Sequence, residues 1–330
     1  MEERMNRTLR DLVLNHSNDY GFDVNAAILQ SSAISDLSIV IPYYNSKFLK
    51  RVIHSLYVGL EKVEEQYTSW KFEVIVIDDG STEKAGKVIG EQYYKNLTII
   101  TFESNRGITE ARNTGLQQAR FSTVLFMDND IVISDDIILK HLKVHSFAGI
   151  EKPCITLGFF ATVPPTDSVL SESLTKEVIQ SKINDFRLSC IYQSSWIGCE
   201  EDVKFIGKRF EIIRETNAFR NWPIDGLFGP WILPNMVLGG FFMVSRAAAL
   251  AVNGFDRSFV GYGFTETSLP TKLIALYGQY VVPVIDGTCL HIDDDSEWLS
   301  RHEKNRLFRQ KHAQYFNHYL ELTCKEAING

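Results

Sequence analysis

Four short apolar segments alternate with longer segments in which apolar positions recur every three or four residues. The apolar segments are LSIVIP (37–42), FEVIVI (72–77), LTIITF (97–102) and STVLFM (122–127). The segments between them are SKFLKRVIHSLYVGLEKVEEQ, TEKAGKVIGEQYY and ITEARNTGLQQA. Because β-branched apolar runs are typical of strands and the other spacing is typical of helices, we predict an α/β domain whose parallel strands are covered on both faces.

Polar residues follow each predicted strand at its carboxyl end. They are PYYN (42–45), DDGST (78–82), ESNRG (103–107) and DND (128–130). The carboxyl ends of parallel strands share one edge of the sheet, and ligands bind there. In an extended chain Asp128 and Asp130 point to the same side, and paired carboxylates suit Mg²⁺ or Mn²⁺ together with phosphate oxygens. The alternatives are an ordinary acidic loop and, for DDGST, a turn that caps a helix through Ser81 or Thr82.

Composition narrows the class of protein. The chain has 330 residues, of which 45% are apolar, enough for one large domain with elaborations. A net charge of −7 gives no overall attraction to nucleic acid, so no nucleic-acid partner is expected. Five scattered cysteines indicate neither a disulfide framework nor a zinc site. The N-terminus is too polar for a signal peptide and no segment is apolar enough to span a bilayer, so we predict a cytoplasmic protein.

The motifs, taken in order, resemble a known family. LSIVIPYYN, FEVIVIDDGST, NRGITEARNTGLQQA and VLFMDNDIVI are similar to the N-terminal half of family 2 glycosyltransferases of the GT-A fold, over roughly residues 36–140. A later segment, LGGFFMVSRAAALAVNGFDRSFVGYGFTETSLPTKL (238–273), resembles the acceptor-side segment of galactosyltransferase-like members. The resemblance implies a Rossmann-like α/β domain with a mixed, mainly parallel sheet flanked by helices.

The resemblance also divides the chain. The expected units are an N-terminal extension (1–35), a GT-A catalytic domain (36–295) and a C-terminal helical tail (296–330). Within the catalytic domain, residues 36–140 are expected to bind the nucleotide sugar and residues 141–295 the acceptor, with an insertion at about 164–234. Aromatic residues of the insertion either stack on sugar rings or are simply buried. They are Trp196, Trp222, Phe228 and Trp231.

Seven residues are placed against the nucleotide sugar by the resemblance. They are Pro42, Tyr44, Asp78, Asp79, Arg112, Asp128 and Asn129. Pro42 and Tyr44 are expected to line the nucleobase and ribose, and Asp128 to face the sugar or ribose. Asp79, supported by Asp78, is expected to accept the imide N–H of uracil. For Arg112 three interpretations remain open: a contact with base or phosphate, an ion pair with Glu110, and a cap of the sheet.

The metal site implied by the resemblance combines Asp130 with a histidine from a late strand or loop. His291, in GTCLHIDDDSEW after the apolar run YVVPVI, stands at the matching place, although a lone histidine is equally consistent with a structural role. The expected cation is Mn²⁺ or Mg²⁺. The acidic run 293–295 is either a solvated loop or a segment that orders when nucleotide and metal bind.

The family places its general base in a Glu-Asp pair just after Gly-x-Gly. This chain reads GYGFTETSL, with Thr265 at the Glu position and Glu266 at the Asp position. Inverting transfer needs a base that deprotonates the acceptor hydroxyl while the metal neutralises charge on the leaving diphosphate. We therefore assign Glu266 as the catalytic base. Asp256 is a second carboxylate to consider, or else a turn residue.

Three functions compete at this point. The first is an inverting, metal-dependent glycosyltransferase that moves a sugar from a UDP-sugar to a glycan, lipid-linked or other small acceptor, as in polysaccharide biosynthesis. The second is a catalytically altered sugar-nucleotide or glycan-binding protein, suggested by the changed Thr265–Glu266 pair. The third is a nucleotidyltransferase, which would require a glycine-rich loop after the first strand, whereas PYYNSKF has no glycine.

The C-terminal tail has helical spacing with interleaved basic residues. These are Arg301, Lys304, Arg306, Arg309 and Lys311. They can contact an anionic membrane that carries a lipid-linked acceptor, which would place the protein peripherally at the inner face of the membrane. The alternative is that the tail packs on its own domain or on a second copy of the chain in a homodimer.

Overall fold

The computed structural model defines most of the predicted catalytic domain. It describes residues 2–18, 20–171, 185, 191–192, 195–196, 233–260, 265–292 and 314–329. Most of the predicted insertion, the Gly-x-Gly segment, the acidic run 293–295 and the basic part of the tail lie outside the described residues. In the described part of the chain, no helix combines the length and apolar character needed to cross a bilayer.

Eight strands form one sheet, and a separate two-stranded ribbon lies outside it. The strands are β1 (Leu37–Tyr43), β2 (Phe72–Asp78), β3 (Leu97–Thr101), β4 (Thr123–Met127), β5 (Ile131–Ile133), β6 (Cys154–Val163), β7 (Ile191–Tyr192), β8 (Ser195–Trp196), β9 (Phe241–Ser245) and β10 (Tyr280–Ile292). The order in the sheet is β3-β2-β1-β4-β9-β6-β10-β5, and β7 pairs with β8 in the ribbon.

Helices cover the sheet and join its strands. They are α1 (Glu2–Met5), α2 (Leu9–Leu14), α3 (Val24–Gln30), α4 (Leu49–Gln66), α5 (Ala85–Ile89), α6 (Ile108–Gln118), α7 (Ile137–Ala148), α8 (Arg246–Ala251), α9 (Ser268–Tyr277), α10 (314–320) and α11 (Cys324–Asn329). Short 3-10 turns occur at Ser168–Ser171 and Leu233–Met236.

The first four strands form the parallel half of the sheet, as predicted. β1 pairs in parallel with β2 and β4, and β2 pairs in parallel with β3. Successive residues of β1 enter hydrophobic cores on opposite faces: Ile39 and Ile41 pack on the side of α4, and Val40 packs on the side of α6. All three side chains are fully buried. The run of apolar residues in β1 is therefore explained by burial on both faces.

The prediction is wrong for β3 and for the length of the helix before it. β3 is the edge strand, and Thr98, Ile99 and Thr101 are exposed rather than covered on both faces. The helix predicted from TEKAGKVIGEQYY is reduced to the five residues of α5. It ends at Gly90, whose φ of +85° lies in the left-handed region that breaks an α-helix. Because Thr98 and Ile99 point to opposite faces of the strand, both faces of β3 are partly exposed.

The second half of the sheet carries the antiparallel pairings. β9 runs antiparallel to both β4 and β6, while β10 runs parallel to β6 and antiparallel to β5. β10 begins where YVVPVI predicted a strand but continues to Ile292. In its register with β5, His291 lies opposite Ile131, and the backbone N–H of Ile292 donates to the carbonyl of Asp130 at 2.9 Å. This pairing brings a late histidine next to the DND motif.

The two termini pack on each other and on α9. Thr8 and Thr323 form an antiparallel bridge, and the N–H of Leu9 donates to the carbonyl of Leu322 at 2.8 Å. Leu9 and Val13 are fully buried in the core on the α6 side of the sheet. The N-terminal extension therefore contributes to the hydrophobic core through α2.

The described end of the tail also packs on the domain. Tyr315 and Tyr319 make edge-on contacts with Phe259, with ring centroids 4.9 and 5.1 Å apart. Phe316 and Tyr319 are almost fully buried. Residues 314–329 thus support the chain just before the Gly-x-Gly segment.

Replacing Gly115 with alanine should destabilise the protein. A Cβ at this position of α6 would lie 2.2 Å from Val40 Cγ1 of β1. Overpacking of this kind costs about 1–3 kcal/mol, which exceeds the gain of at most about 1 kcal/mol from replacing a helical glycine. We expect the melting temperature, followed by circular dichroism, to fall by roughly 2–6 °C.

Gly86→Ala in α5 is the matched control. Its Cβ would lie 3.7 Å from Ile99 Cδ1, an ordinary contact distance, so this variant should keep or raise the melting temperature. Equal changes in the two variants would show that close packing of α6 on β1 is not the cause.

Candidate active site

The Asp78 carboxylate at the end of β2 folds the DDGST turn. It is fully buried; Oδ1 accepts from the N–H of Ser81 and Oδ2 from the N–H of Ala85, both at 2.9 Å. The first N–H of α5, that of Ala85, is therefore satisfied by Asp78, and the interpretation that Ser81 or Thr82 caps the helix is wrong. Ser81 Oγ instead accepts from the N–H of Asn45 at 3.1 Å, which ties the DDGST turn to the end of β1.

The Asp79 carboxylate joins two loops of the same edge. Its oxygens accept from the backbone N–H groups of Arg106 at 2.6 Å and Gly107 at 2.9 Å. Burial raises the pKa of Asp79, while these two hydrogen bonds oppose the shift. Between the loops, Gly80 has φ +71°, and a Cβ there would lie 2.3 Å from the carbonyl carbon of Ser104. Only glycine allows this approach.

Tyr44 and Asn129 lie where β1 and β4 end. The Tyr44 ring is 51% exposed, so it is available for contact with a ligand. Asn129 Nδ2 donates to the carbonyl of Pro42 at 2.7 Å and thereby ties the DND loop to the end of β1. Pro42 itself is buried.

Arg112 on α6 lies beneath the DND motif. Its side chain is only 1% exposed, and Nη2 donates to Asp128 Oδ1 at 2.7 Å. The guanidinium lies over the ring of Phe255 at 5.6 Å. A Cβ at Gly239 would be 2.5 Å from Nη2, so a glycine at that position makes room for the guanidinium. The ion pair with Glu110 is ruled out, because Glu110 pairs with Arg257 at 2.8 Å.

Arg112 also lies close to Thr265 and Glu266, just before α9. Its Nη1 lies 3.9 Å from Glu266 Oε2 and 3.4 Å from Thr265 Oγ1, and the Thr265 hydroxyl donates to Glu266 Oε2 at 2.9 Å. One guanidinium is thus near both Asp128 and Glu266. Burial raises the pKa of Asp128; the Arg112 charge opposes the shift, and the Asp130 and Glu266 charges add to it.

Asp130 and His291 form the pair that can hold a divalent cation. His291 Nε2 lies 3.5 Å from Asp130 Oδ2. Asp130 Oδ1 is buried and has no hydrogen-bond partner within the described part of the chain. A buried carboxylate oxygen without a partner is costly unless a cation or water meets it. No cluster of three or more metal-binding side chains occurs among the described residues.

A carboxylate and an imidazole fit Mn²⁺ or Mg²⁺, which take remaining ligands from water and phosphate. Asp256, the other candidate carboxylate, accepts from the N–H and the hydroxyl of Ser258. The structure thus places Asp256 in a turn. Two contacts of the site were absent from the sequence interpretation: Gly239 against Arg112, and Thr265 against Arg112. Neither has a signal in local sequence, because the two partners of each contact are more than 100 residues apart along the chain.

Residues 38–152 match the family model described as Glycosyl transferase family 2. This part of the chain is similar to members of that family. A similar protein is "Uncharacterized glycosyltransferase YfnE" of Bacillus subtilis (strain 168), 34% identical over 125 residues, which are 37% of this chain and 29% of that protein. Another is the poly(ribitol-phosphate) beta-N-acetylglucosaminyltransferase TarS of Staphylococcus aureus (strain Mu50), 32% identical over 104 residues, covering 31% of this chain and 17% of that protein. The chain spans about a third of the length of the first curated relatives it matches.

Solved structures show that the chain has the GT-A fold. The structure of GalNAc-T7 with UDP, GalNAc and Mn²⁺ superimposes with a TM-score of 0.53 at 15% identity, covering 80% of this chain and 45% of that chain. The mannosyltransferase PcManGT from Pyrobaculum calidifontis, in complex with GDP-Man and Mn²⁺, gives 0.52 at 14% identity, covering 93% and 78%. The family 2 match ends at residue 152, so the galactosyltransferase-like character of residues 238–273 stays a prediction.

Replacing Arg112 with methionine should destabilise the family 2 domain by about 3 kcal/mol, because a buried ion pair that loses one partner leaves a charge uncompensated. The measurement is urea denaturation of Arg112→Met, Asp128→Asn and the double variant. We expect the double variant to be more stable than the sum of the single effects predicts, since the amide no longer needs a cation.

Arg257→Met is the matched control for this cycle. Its partner is Glu110, and the two side chains are 43% and 31% exposed, so the loss should be under about 1 kcal/mol. Additive effects of the Arg112 and Asp128 substitutions would contradict the coupling.

Proposed function

We propose that the protein is an inverting, metal-dependent glycosyltransferase that moves a sugar from a nucleotide-diphosphate donor to an acceptor hydroxyl. The observation that carries the proposal is the Asp130–His291 pair, which lies beside Asp128 at the carboxyl ends of the parallel strands. That edge is where α/β sheets bind ligands. The family 2 match of residues 38–152 supports the reaction class.

We propose a UDP-sugar as the donor. The Asp79 oxygens each accept one backbone hydrogen bond, and a carboxylate oxygen has a second lone pair with which to accept the imide N–H of uracil. Tyr44 is exposed at the end of β1 and offers a surface for base and ribose. The GalNAc-T7 structure contains UDP, and the PcManGT structure contains GDP-Man, so guanine is the competing base.

Each residue beneath the donor has a distinct proposed role. Asp128, held by Arg112, faces the sugar or ribose, and Asn129 keeps the loop in place through Pro42. Arg112 acts through Asp128, since its guanidinium is buried. Asp78 maintains the turn that carries Asp79.

The proposed chemistry is a single displacement at the anomeric carbon. Asp130 and His291 would hold a divalent cation, which would neutralise the negative charge that builds on the leaving diphosphate. Glu266 takes the proton of the acceptor hydroxyl; the acceptor oxygen bonds to the anomeric carbon as the bond from that carbon to the diphosphate breaks. The nucleoside diphosphate leaves with the electron pair, and the configuration inverts because the acceptor attacks from the opposite face.

The acceptor we propose is a glycan, lipid-linked or other small hydroxyl compound that meets the segment from 141 to 295. The division into an extension (1–35), a catalytic domain (36–295) and a tail (296–330) is retained as a proposal. Cytoplasmic location, peripheral membrane contact through the basic part of the tail, and homodimer formation stay predictions. The basic residues concerned, 301–311, lie outside the described residues.

Nucleotide binding should depend on the metal and on Asp130. In calorimetric titrations of UDP, GDP and dTDP with and without Mn²⁺, we expect metal-dependent binding of UDP, weakened at least about tenfold by Asp130→Asn because a ligand oxygen is lost. Asp135→Asn is the matched control: its carboxylate pairs with Lys62 on the protein surface, so UDP binding should be unchanged. Failure of the folded wild-type protein to bind any of the nucleotides would refute the donor site.

Glu266→Gln should separate binding from chemistry. The amide cannot take a proton, so we expect transfer to fall by about 10²–10⁴-fold while UDP affinity stays within about twofold. Glu110→Gln serves as the control, because the Glu110 side chain is partly exposed on α6 and pairs with Arg257, and this variant should transfer at the wild-type rate. Near wild-type transfer by Glu266→Gln would exclude it as the base and favour a different carboxylate.

A further inference from the structure

The Thr265 hydroxyl stands between a group that can only donate hydrogen bonds and a group that can only accept them. Arg112 Nη1 lies 3.4 Å from Thr265 Oγ1, and Oγ1 lies 2.9 Å from Glu266 Oε2. A guanidinium has no acceptor, and an ionised carboxylate has no donor. The single hydroxyl hydrogen must therefore point at Glu266. The two hydrogen bonds consequently run in one direction, with Arg112 donating to Thr265 and Thr265 donating to Glu266.

Arg112 does not reach Glu266 by a direct hydrogen bond. The distance from Nη1 to Glu266 Oε2 is 3.9 Å, whereas Nη2 donates to Asp128 at 2.7 Å. The hydrogen-bonded route from the guanidinium to Glu266 consequently passes through Thr265. Through it, one buried cation is connected both to Asp128 on the donor side and to Glu266 on the acceptor side.

The backbone of Thr265 is itself held in place. Ser268 Oγ donates to the Thr265 carbonyl at 3.1 Å and accepts from the N–H of Asp256 at 3.0 Å. Thr265 is 3% exposed, so its hydroxyl has little freedom to turn toward solvent. Glu266 Oε2 is thus held by a fixed donor. Within the described part of the chain, Glu266 Oε1 has no hydrogen-bond partner and remains available to take a proton.

We propose that Thr265 is a positioning residue that connects Arg112 to Glu266 and fixes the orientation of the Glu266 carboxylate for proton removal. The inference rests on the proposed function, since it assigns a role relative to Glu266 as base. Hydrogen bonding from a hydroxyl holds one carboxylate oxygen and leaves the other to act. A displacement of about 1 Å of such a group can lower a rate by about 10²-fold.

The test compares substitutions that delete or retain the hydroxyl. Thr265→Val keeps the shape and Thr265→Ala removes the bulk, and both lose the hydroxyl; Thr265→Ser keeps it. The assay follows UDP release from UDP-glucose, UDP-galactose and their N-acetylamino forms, with p-nitrophenyl glycosides as acceptors. We expect kcat to fall about 10–100-fold in the valine and alanine variants, with donor KM within about twofold, and kcat to stay within about threefold in the serine variant.

Thr267→Val is the matched control. Thr267 is also buried, two residues along the chain, and its side chain makes no capping hydrogen bond to α9, so kcat should be unchanged. Melting temperatures of all variants establish that the protein is folded. If Thr265→Val is the one variant that does not fold, the comparison of kcat between Thr265→Ala and Thr265→Ser tests the positioning role.

Each outcome is informative. Wild-type kcat in both hydroxyl-deleting variants, or an equal loss in Thr265→Ser, would overturn the positioning role while leaving the glycosyltransferase assignment intact. A wild-type protein that releases no UDP from any of the four donors and binds no UDP would overturn the proposed function as well. A rise in the donor KM with unchanged kcat would show that Thr265 acts in donor binding and would refute the proposal.

Discussion

The ion pair between Arg112 and Asp128 is the contact on which the arrangement of the site depends. The Arg112 guanidinium is 1% exposed, so water cannot hydrate its charge. It therefore needs carboxylates around it. Asp128 supplies the direct partner, and Glu266 lies 3.9 Å away. The close approach requires the missing side chain at Gly239. The burial of one arginine therefore fixes the positions of both Asp128 and Glu266, which we propose lie on the donor and acceptor sides of the site.

The mixed sheet provides the frame for this contact. β4 delivers Asp128 from the parallel half, while β9 pairs with it antiparallel, and the N–H of Asp128 donates to the carbonyl of Gly240 at 3.1 Å. β10 extends past its apolar start and brings His291 beside Asp130. His291 is far from the DND loop in sequence, but the register of β10 against β5 places it beside that loop.

Segments outside the sheet pack around Phe259 and α9, close to Thr265 and Glu266. The described end of the tail packs aromatic rings on Phe259, a few residues before Glu266, and the N-terminal extension pairs with the chain near Thr323. Thr265 and Glu266 lie at the start of α9, which packs against α2 and α11. Segments from both termini thus pack on α9, the helix that directly follows the proposed catalytic base Glu266.

The pattern of apolar and polar residues was sufficient to predict the strands and helices whose burial is regular along consecutive residues. The sequence alone determined β1, β2, β4, α4 and α6, because burial on both faces and helical spacing leave a direct signature in consecutive residues. It also placed the polar residues after those strands, so Asp79, Asp128 and Asp130 were recognised as candidates. It erred at β3 and α5, because an edge position depends on which strands lie beside it, and this is not written in the strand's own residues.

Only the tertiary structure decided which of these residues meet. Arg112 had three interpretations, and the partner that it takes, Asp128, is 16 residues away along the chain. The contact of Thr265 with Arg112 spans 153 residues, and the approach of His291 to Asp130 depends on the register of β10. A sequence reports what each residue can donate, accept or bury. The packing of the sheet and helices decides which donor faces which acceptor, and that is why the site had to be assembled in three dimensions.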